Sequence, residues 1–236
     1  MRASDMRMAR DLVFPPRRPI LRPMSQFAVL LAGPIEASAR LRARLASCRV
    51  IAADAGIRHA RALGLEPELW LGDFDSVDEP PEETDAAEIR SFPAGKDKTD
   101  GQLAIEAAIE RGATSILLVG ALGGPRSDHA FSHYVLALAL AEEGHAVEFD
   151  DGRERAWPLG RGETREVALE PGTQFSILRF SDVTGLTIEG AVYPLDGVDL
   201  PFTSILTQSN EADGPIRVRI ETGRAILLAQ ADPSAH

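Results

Sequence analysis

Short apolar segments alternate with longer segments of helical periodicity between residues 27 and 145, and this alternation constrains the fold more than any other feature. The apolar segments have the near-continuous hydrophobicity of strands that are buried on both faces. The predicted strands cover residues 27–33, 50–53, 69–71 and 115–119, and the predicted helices cover residues 36–47, 101–111 and 129–143. This order predicts an α/β fold, with a mostly parallel sheet in a three-layer arrangement.

The pattern changes after about residue 145. From there, strand-like segments alternate with turns at residues 173–180, 186–192, 216–221 and 224–229, and a helical period is lacking. We therefore predict an α/β domain over residues 25–150 and a C-terminal all-β sandwich domain over residues 151–236. The Gly-rich and charged stretch 150–162 is the predicted join.

Composition excludes several classes of protein. The single cysteine, Cys48, rules out an intrachain disulfide and a multi-cysteine zinc site, and it favours a cytoplasmic location. The net charge of -11 argues against a general nucleic-acid binder. No apolar run approaches the roughly 20 residues of a membrane helix, so we expect no membrane association.

Residues 1–24 differ from the rest of the chain, because they contain six arginines and two aspartates. They lack the apolar segment and the small-residue cleavage site of a secretory signal. We predict a disordered N-terminal extension. An organelle-targeting leader is the weaker alternative, since serine is scarce and an amphipathic period is missing.

An acidic motif, GDFDS at residues 72–76, follows the predicted strand 69–71. Ligands of open α/β sheets bind beyond the carboxyl ends of the strands. On an extended segment, Asp73 and Asp75 point the same way and can offer two carboxylates to one hard cation, for which Mg²⁺ is well suited. The alternative is a solvated, acid-rich loop, and the motif alone does not decide between them.

A second motif, KDKTD at residues 96–100, precedes the predicted helix 101–111. Thr99 or Asp100 could cap that helix. Capping does not explain the alternation of lysine with aspartate, which indicates a mixed-charge pocket. There, backbone N–H groups and lysine ammonium groups can hold phosphate while a carboxylate reaches the metal. Asp97 and Thr99 belong to the same predicted nucleotide-binding set.

A third motif, GALGGPRSDH at residues 120–129, runs from a strand end into a helix. Glycines there allow a close approach of the backbone to an anion, and the helix N-terminus carries partial positive charge. Arg126 offers a guanidinium fork to phosphate oxygens. The alternative is a flexible turn with Asp128 as N-cap; His129 either orients a phosphate or Asp128, or is only a first-turn helix residue.

One further carboxylate, Asp54, lies after the predicted strand 50–53, where it could also cap the helix that begins near Ile57. A parallel sheet would gather these acidic motifs along one edge. Their convergence predicts a metal and phosphate site more strongly than any single motif does.

In their order along the chain, these motifs resemble the thiamine pyrophosphokinase family. The N-terminal matches are ADAG at 53–56, GDFDS at 72–76, KDKTD at 96–100 and residues 120–129. The C-terminal matches to that family's thiamine-binding domain are GLTIEG at 185–190, YPL at 193–195, LPF at 200–202 and QSNE at 208–211.

The resemblance implies a thiamine diphosphokinase, in which the hydroxyl of thiamine attacks the β-phosphorus of ATP and AMP is released. It also implies a homodimer, with thiamine between the α/β domain of one subunit and the β-domain of the other. Carried over by residue, it assigns the catalytic, magnesium-binding role to Asp73, Asp75 and Asp100. It makes Asp54 and Asp128 nucleotide or substrate contacts, Lys96 and Arg126 contacts of the ATP phosphates, and Ser209 and Asn210 contacts of thiamine. We also place His129 in the predicted nucleotide-binding set.

Two alternatives remain at the level of the residues. A magnesium-dependent nucleotidyl or glycosyl transferase also uses an Asp-x-Asp pair, and it would release pyrophosphate or a nucleoside diphosphate. A thiamine-binding sensor would leave the acidic loops merely solvated, and it would bind thiamine without ATP or a metal.

Overall fold

The computed structural model describes residues 25–75, 86–93 and 97–230. These residues form a large mixed sheet with few helices, and its strands and helices follow in chain order. The strands of the first half are β1 (Gln26–Leu30), β2 (Arg49–Ala53), β3 (Leu69–Gly72), β4 (Ile89–Ser91), β5 (Ser115–Val119) and β6 (Ala146–Asp150), and the helices are α1 (Ala39–Leu45), α2 (Ile57–Leu63), α3 (Asp100–Glu110) and α4 (Ser127–Glu142). The strands of the second half are β7 (Glu154–Leu159), β8 (Thr164–Val167), β9 (Gln174–Arg179), β10 (Val183–Ala191), β11 (Leu195–Leu200), β12 (Asn210–Arg219) and β13 (Ala225–Gln230).

The first six strands pair in parallel, in the spatial order β4-β3-β2-β1-β5-β6. The order reverses between β1 and β5, because β2, β3 and β4 extend the sheet on one side of β1 while β5 and β6 extend it on the other. Such a switch point opens a crevice at the carboxyl ends of the strands.

Helices cover both faces of these parallel strands. Successive strand residues point to opposite faces, so Ala28 and Leu30 pack with α1 and α2, whereas Phe27 and Val29 pack with α3 and α4. All four strand residues are fully buried. This two-sided burial explains why the strand segments have almost no polar residues.

The sheet continues without a break into the C-terminal half, where β6 pairs antiparallel with β7 and the order runs on through β13, β9 and β12. β12 changes partners along its length: Asn210 and Glu211 pair with β9, while later residues pair with β10 and β8. A second group of strands, β8, β10, β11 and most of β12, thereby packs over β7, β9 and β13 across one apolar cluster.

Strands β7 and β13 contribute to two different cores. Ala156 and Ile226 face the core that α3 and α4 share with the parallel strands. Their neighbours Trp157 and Leu227 face the opposite core, between the two groups of β-strands. The predicted boundary near residue 150 therefore falls where strand pairing is continuous, and the division into two domains stays a prediction.

The structure and the sequence predictions differ in detail. β1, β2, β3 and β5 fall on the predicted strand segments of the first half, and β9, β10, β12 and β13 overlap those of the second half. The sequence analysis does not predict β4, β6, β7, β8 and β11, and β7 lies within the stretch 150–162 that it assigns to the join. Helix α1 begins at Ala39 rather than residue 36, because Ser38 caps it by accepting a hydrogen bond from Leu41 N–H. After residue 150 the described chain contains strands and turns but no helix. The predicted extension 1–24 lies outside the described residues, and no described helix is long and apolar enough to cross a membrane.

The turn between β6 and β7 holds the loop that follows β1. The backbone carbonyl of Asp151 accepts a hydrogen bond from Glu36 N–H at 2.7 Å. The Asp151 carboxylate is buried and accepts hydrogen bonds from the N–H groups of Arg153 and Glu154. Burial raises the pKa of this carboxyl to about 6, and the nearby charges of Glu154 and Asp150 act in the same direction.

This pKa predicts a pH-dependent stability. A folded pKa above the ordinary value of 3.8 favours the protonated native state, so the contribution to the free energy of unfolding is complete below about pH 4 and is lost as the pH rises through about 6. We expect Asp151→Asn, which keeps the acceptor oxygen, to be more stable than wild type at pH 7–8 by on the order of 1–3 kcal/mol.

Urea unfolding of both proteins from pH 3.5 to 8 measures the difference, which should vanish at the acidic end. The exposed Glu170→Gln is the control, and it should show no such trend. A constant difference across the pH range would contradict the assignment.

Candidate metal and phosphate site

Three carboxylates meet at the carboxyl edge of the parallel strands. Asp54 follows β2, and Asp73 and Asp75 follow the neighbouring strand β3. One carboxylate oxygen from each lies within 4.8 Å of those from the other two. The structure thus brings together Asp73 and Asp75, as the GDFDS motif predicts, and it adds Asp54 as the third member of the group.

The backbone around Asp54 is unusual. Asp54 has a φ of 45°, which is uncommon for a residue with a side chain, and it opens a 3₁₀ turn, Asp54–Gly56, rather than capping α2. The indole N–H of Trp70 donates a hydrogen bond to its carbonyl at 2.9 Å. Its Oδ1 is buried without a hydrogen-bond partner in the described part of the chain. Strain and an unsatisfied buried oxygen together mark a functional position.

The segment after β3 passes close to Asp54 because residue 72 is glycine. A Cβ on Gly72 would lie 3.1 Å from Asp54 Cα. Phe74, at φ 60°, turns its ring onto Trp70 with the ring centroids 4.9 Å apart. With Phe74 turned inward, the carboxylates of Asp73 and Asp75 are left at the sheet edge, and Asp75 N–H donates to Asp73 Oδ1 at 3.3 Å.

Negative charge is concentrated here. Partial desolvation, together with the charges of Asp100 and Asp75, raises the pKa of the Asp73 carboxyl above its usual range. Asp100 therefore lies near Asp73, but among the described residues it is not a member of the three-carboxylate group. A cluster of like charges that share one edge is destabilising unless a cation or a proton compensates it.

The KDKTD motif divides into different roles. Thr99 is the N-cap of α3, since its hydroxyl accepts a hydrogen bond from Gln102 N–H, and Asp100 is the first residue of the helix. Lys98 forms an ion pair with Glu106, with N···O distances of 2.7 and 2.8 Å. Asp97 is exposed, and Lys96 lies outside the described residues.

The glycine loop, residues 120–126, connects β5 to α4 and lies beside the end of β1. Gly33 N–H donates to Gly120 O at 2.8 Å, and a Cβ on Gly33 would lie 2.3 Å from that same oxygen. Gly120, Gly123 and Gly124 all have positive φ values of 63–94°. Side chains at these positions would block the contact or strain the loop.

Arg126 and Asp128 form a bidentate ion pair, at 3.0 and 2.8 Å, on an exposed surface. The hydrogen bonds from Arg126 hold the pKa of the Asp128 carboxyl at about 2. Asp128 is the second residue of α4, so the alternative in which it caps the helix is wrong; the N-cap position belongs to Arg126. His129 is exposed in the first turn of α4.

The two residues predicted to contact thiamine lie at the start of β12. Ser209, at φ 55°, donates its N–H to Ser176 Oγ. The buried Asn210 amide accepts from Tyr193 N–H at 3.2 Å and donates to Tyr193 O at 2.8 Å. Asn210 thus holds Tyr193, an aromatic residue whose side chain is 66% exposed.

Two histidines that the sequence analysis did not single out also lie at this edge, His59 buried and His133 half-buried. His59 in α2 contacts Gly33 O at 2.7 Å, and His133 in α4 contacts Ala121 O at 3.0 Å. Desolvation lowers the pKa of both imidazoles. Both occur within helical segments with no motif around them, so the sequence offers no signal that identifies them.

The arrangement can bind a hard cation and phosphate oxygens side by side. Carboxylate oxygens suit Mg²⁺ or a similar divalent ion. The glycine loop and the start of α4 present backbone N–H groups and partial positive charge to an anion. This combination is typical of phosphoryl-type transfer.

Two family models match the chain. The thiamin pyrophosphokinase catalytic domain matches residues 43–148, which include the carboxylate cluster and the glycine loop. The thiamin pyrophosphokinase vitamin B1 binding domain matches residues 164–227, which include Ser209 and Asn210.

Individual proteins give the same result. The thiamine pyrophosphokinase of Bacillus subtilis is 30% identical over 152 residues, which cover 63% of this chain and 71% of that protein. Its crystal structure has the same fold, with a TM-score of 0.76 at 24% identity over 88% of this chain and all of that one. The enzyme of Geobacillus thermodenitrificans gives a TM-score of 0.73 at 26% identity, over 89% of this chain and all of that one. The chain therefore belongs to the thiamine pyrophosphokinase family of enzymes.

Proposed function

We propose that the protein transfers a diphosphoryl group from ATP to the hydroxyl of thiamine, producing thiamine diphosphate and AMP. The observation that carries the proposal is the grouping of Asp54, Asp73 and Asp75 at the same edge of the sheet as the glycine loop, in a chain of this family. The carboxylate group would bind ATP through its metal ion, and the C-terminal half would bind thiamine.

The carboxylate group fits a divalent cation, for which we propose Mg²⁺. The buried Oδ1 of Asp54 lacks a hydrogen-bond partner among the described residues, as expected of an oxygen that is reserved for an ion. Asp73 and Asp75 would hold the ion together with Asp54. Asp100 lies close enough for its negative charge to act on the site. When bound, the cation neutralises the negative charge that develops on the phosphate oxygens.

The chain's own residues position the nucleotide. The N–H groups of the glycine loop and of the first turn of α4 would bind the phosphates, and Arg126 would exchange its exposed partner Asp128 for phosphate oxygens. Lys96, Asp97, Thr99 and His129 complete the proposed ATP-binding set. Thr99 caps α3 and Lys98 pairs with Glu106, so both side chains already have partners at the start of α3.

In the reaction, the thiamine hydroxyl oxygen forms a bond to the β-phosphorus of ATP. The bond from that phosphorus to the oxygen that bridges it to the α-phosphorus breaks, and AMP leaves with this oxygen. The hydroxyl proton passes to a carboxylate, for which we propose Asp100 or Asp73.

We propose that the two halves act as an α/β catalytic part, residues 25–150, and a β-sandwich part, residues 151–236, in a cytoplasmic homodimer. The sequence resemblance suggests the dimer, and a group of exposed apolar side chains in the C-terminal half supports it. These are Tyr193, Phe202, Ile205 and Leu206. Exposed apolar groups of this kind mark contact surfaces. Thiamine would lie there, near Ser209 and the Tyr193 that Asn210 holds.

The reaction itself is the first test. Purified protein with thiamine, ATP and MgCl₂ should form thiamine diphosphate and AMP in equal amounts, as measured by ion-pair chromatography. Free pyrophosphate with a nucleotidylated product, or a nucleoside diphosphate, would instead support the rival transferase. Thiamine binding of equal strength without ATP and metal, and without turnover, would support the sensor.

The carboxylate cluster gives a second prediction. Asp54→Asn, Asp73→Asn and Asp75→Asn should each lower kcat at least about 100-fold, because the metal and phosphate charge is no longer matched. In metal-free buffer the same variants should unfold at temperatures equal to or above wild type, since one of several crowded like charges is removed. Calorimetric titration with Mn²⁺ should show lost binding.

Glu110→Gln is the matched control, because Glu110 is exposed at the opposite end of α3 from Asp100. It should retain metal binding and turnover. Full Mn²⁺ affinity in the Asp54 or Asp73 variant would rule out the proposed metal site.

The thiamine side gives a third prediction. Asn210→Ala releases Tyr193, so we expect the KM for thiamine to rise about tenfold while the KM for ATP changes less than twofold. Thr184→Val is the control. Thr184 lies at the start of β10, whereas Tyr193 follows the end of that strand, and the substitution removes a side-chain hydrogen bond to Thr222. Equal changes in both KM values would contradict the placement of thiamine near Tyr193.

A further inference from the structure

We propose that His59 is a positioning residue that holds the glycine loop in the shape that binds the phosphates of ATP. The proposal rests on the proposed function, because it concerns the same loop. It assigns a role to a buried histidine that neither binds the metal carboxylates nor lies in any of the sequence motifs.

His59 connects α2 to the loop that follows β1. Its Nε2 lies 2.7 Å from the backbone carbonyl of Gly33. The same nitrogen would be 3.3 Å from a Cβ on Gly120, so the ring is also close to the first residue of the glycine loop. The side chain is only 7% exposed.

Gly33 and the peptide bond that follows it contact the glycine loop at two positions. Its N–H donates to Gly120 O, and its carbonyl, the one that His59 binds, belongs to the peptide bond with Pro34. Pro34 in turn packs under the loop, since a Cβ on Gly124 would lie 3.0 Å from Pro34 Cδ. Fixing the Gly33–Pro34 peptide therefore fixes both Gly120 and Gly124.

A second tie acts on the preceding peptide. Arg58, the neighbour of His59, donates a hydrogen bond to Ala32 O. The Ala32–Gly33 peptide is thus held by Arg58 at its carbonyl and by Gly120 at its N–H. Pro34 has no N–H, so His59 is the group that holds the next peptide in the described structure.

The hydrogen bond defines the state of the imidazole. Burial lowers the pKa of His59, so the ring is neutral at pH 7. A carbonyl accepts a hydrogen bond only from a ring N–H, so the proton must reside on Nε2. The structure thus predicts a single tautomer.

A preformed loop affects ATP and thiamine differently. If only a fraction of the free enzyme has the correct loop shape, the apparent affinity for ATP falls by that fraction, while the enzyme with ATP bound reacts normally. Loss of the His59 hydrogen bond should therefore raise the KM for ATP about tenfold, and leave kcat and the KM for thiamine within about twofold.

Three variants test this. His59→Leu removes the donor and should show the tenfold rise in the KM for ATP. His59→Gln places an amide N–H at the same number of bonds from Cβ as Nε2 and should restore the KM to within about threefold of wild type. His145→Leu is the control, because His145 is equally buried at 7% but precedes β6 at the amino edge of the sheet. It should leave the KM for ATP unchanged.

Wild-type protein gives an independent readout if His59→Leu does not fold. Long-range ¹H–¹⁵N correlation spectra should show the Nε2–H tautomer for His59, and Mg²⁺ with a non-hydrolysable ATP analogue should shift its ring signals but not those of His145. An Nδ1–H tautomer, an unshifted His59, or a wild-type KM for ATP in His59→Leu each overturns the proposal. Absence of turnover in the wild type overturns the proposed function instead, so the two failures are distinguishable.

Discussion

The contact between Gly33 and Gly120 is the constraint on which the rest of the structure depends. Their backbones meet at 2.8 Å, with no space for a side chain on Gly33. The contact lies where the strand order reverses, so the chain leaves β1 and β5 toward opposite faces of the sheet. With these two ends fixed, β2 and β3 carry Asp54 and Asp73 to the same edge of the sheet as the glycine loop. The acidic cluster and the phosphate loop are therefore products of one topological feature.

Much of the fold is predictable because burial on both faces leaves a clear mark on sequence. β1, β2, β3 and β5 are apolar runs, and each coincides with a predicted segment. β4 is different: none of its three residues is buried, and they pair with β3 at one edge, so no apolar run identifies it. β6 alternates exposed or half-buried positions with buried ones, and its pattern merges with the strands that follow. The sheet continues across residue 150 because β6 pairs with β7, and the amino-acid composition of the two strands does not indicate which strands pair.

The site is predictable to a similar depth. Acidic residues after strands could be identified, because a parallel sheet gathers them at one edge. Which carboxylates face one another depends on backbone details: the left-handed φ of Asp54 turns its side chain toward Asp73 and Asp75, and no residue type announces that conformation. Asn210 illustrates the same limit, since its amide is used on Tyr193, a residue distant in sequence. Hydrogen bonds to backbone carbonyls, such as that of His59, leave no sequence pattern at all.

The double burial of β7 and β13 has a consequence for how such a protein can change over evolutionary time. Because Ile226 and Leu227 belong to cores on opposite sides of one strand, neither half could be transferred to another protein with its core complete. A recombination event at residue 150 would expose one of the two buried faces of β7 and β13. It would also leave an unpaired strand edge that is prone to self-association. Descendants of this chain are thus expected to inherit both halves together, and to vary instead at loops and exposed strand positions.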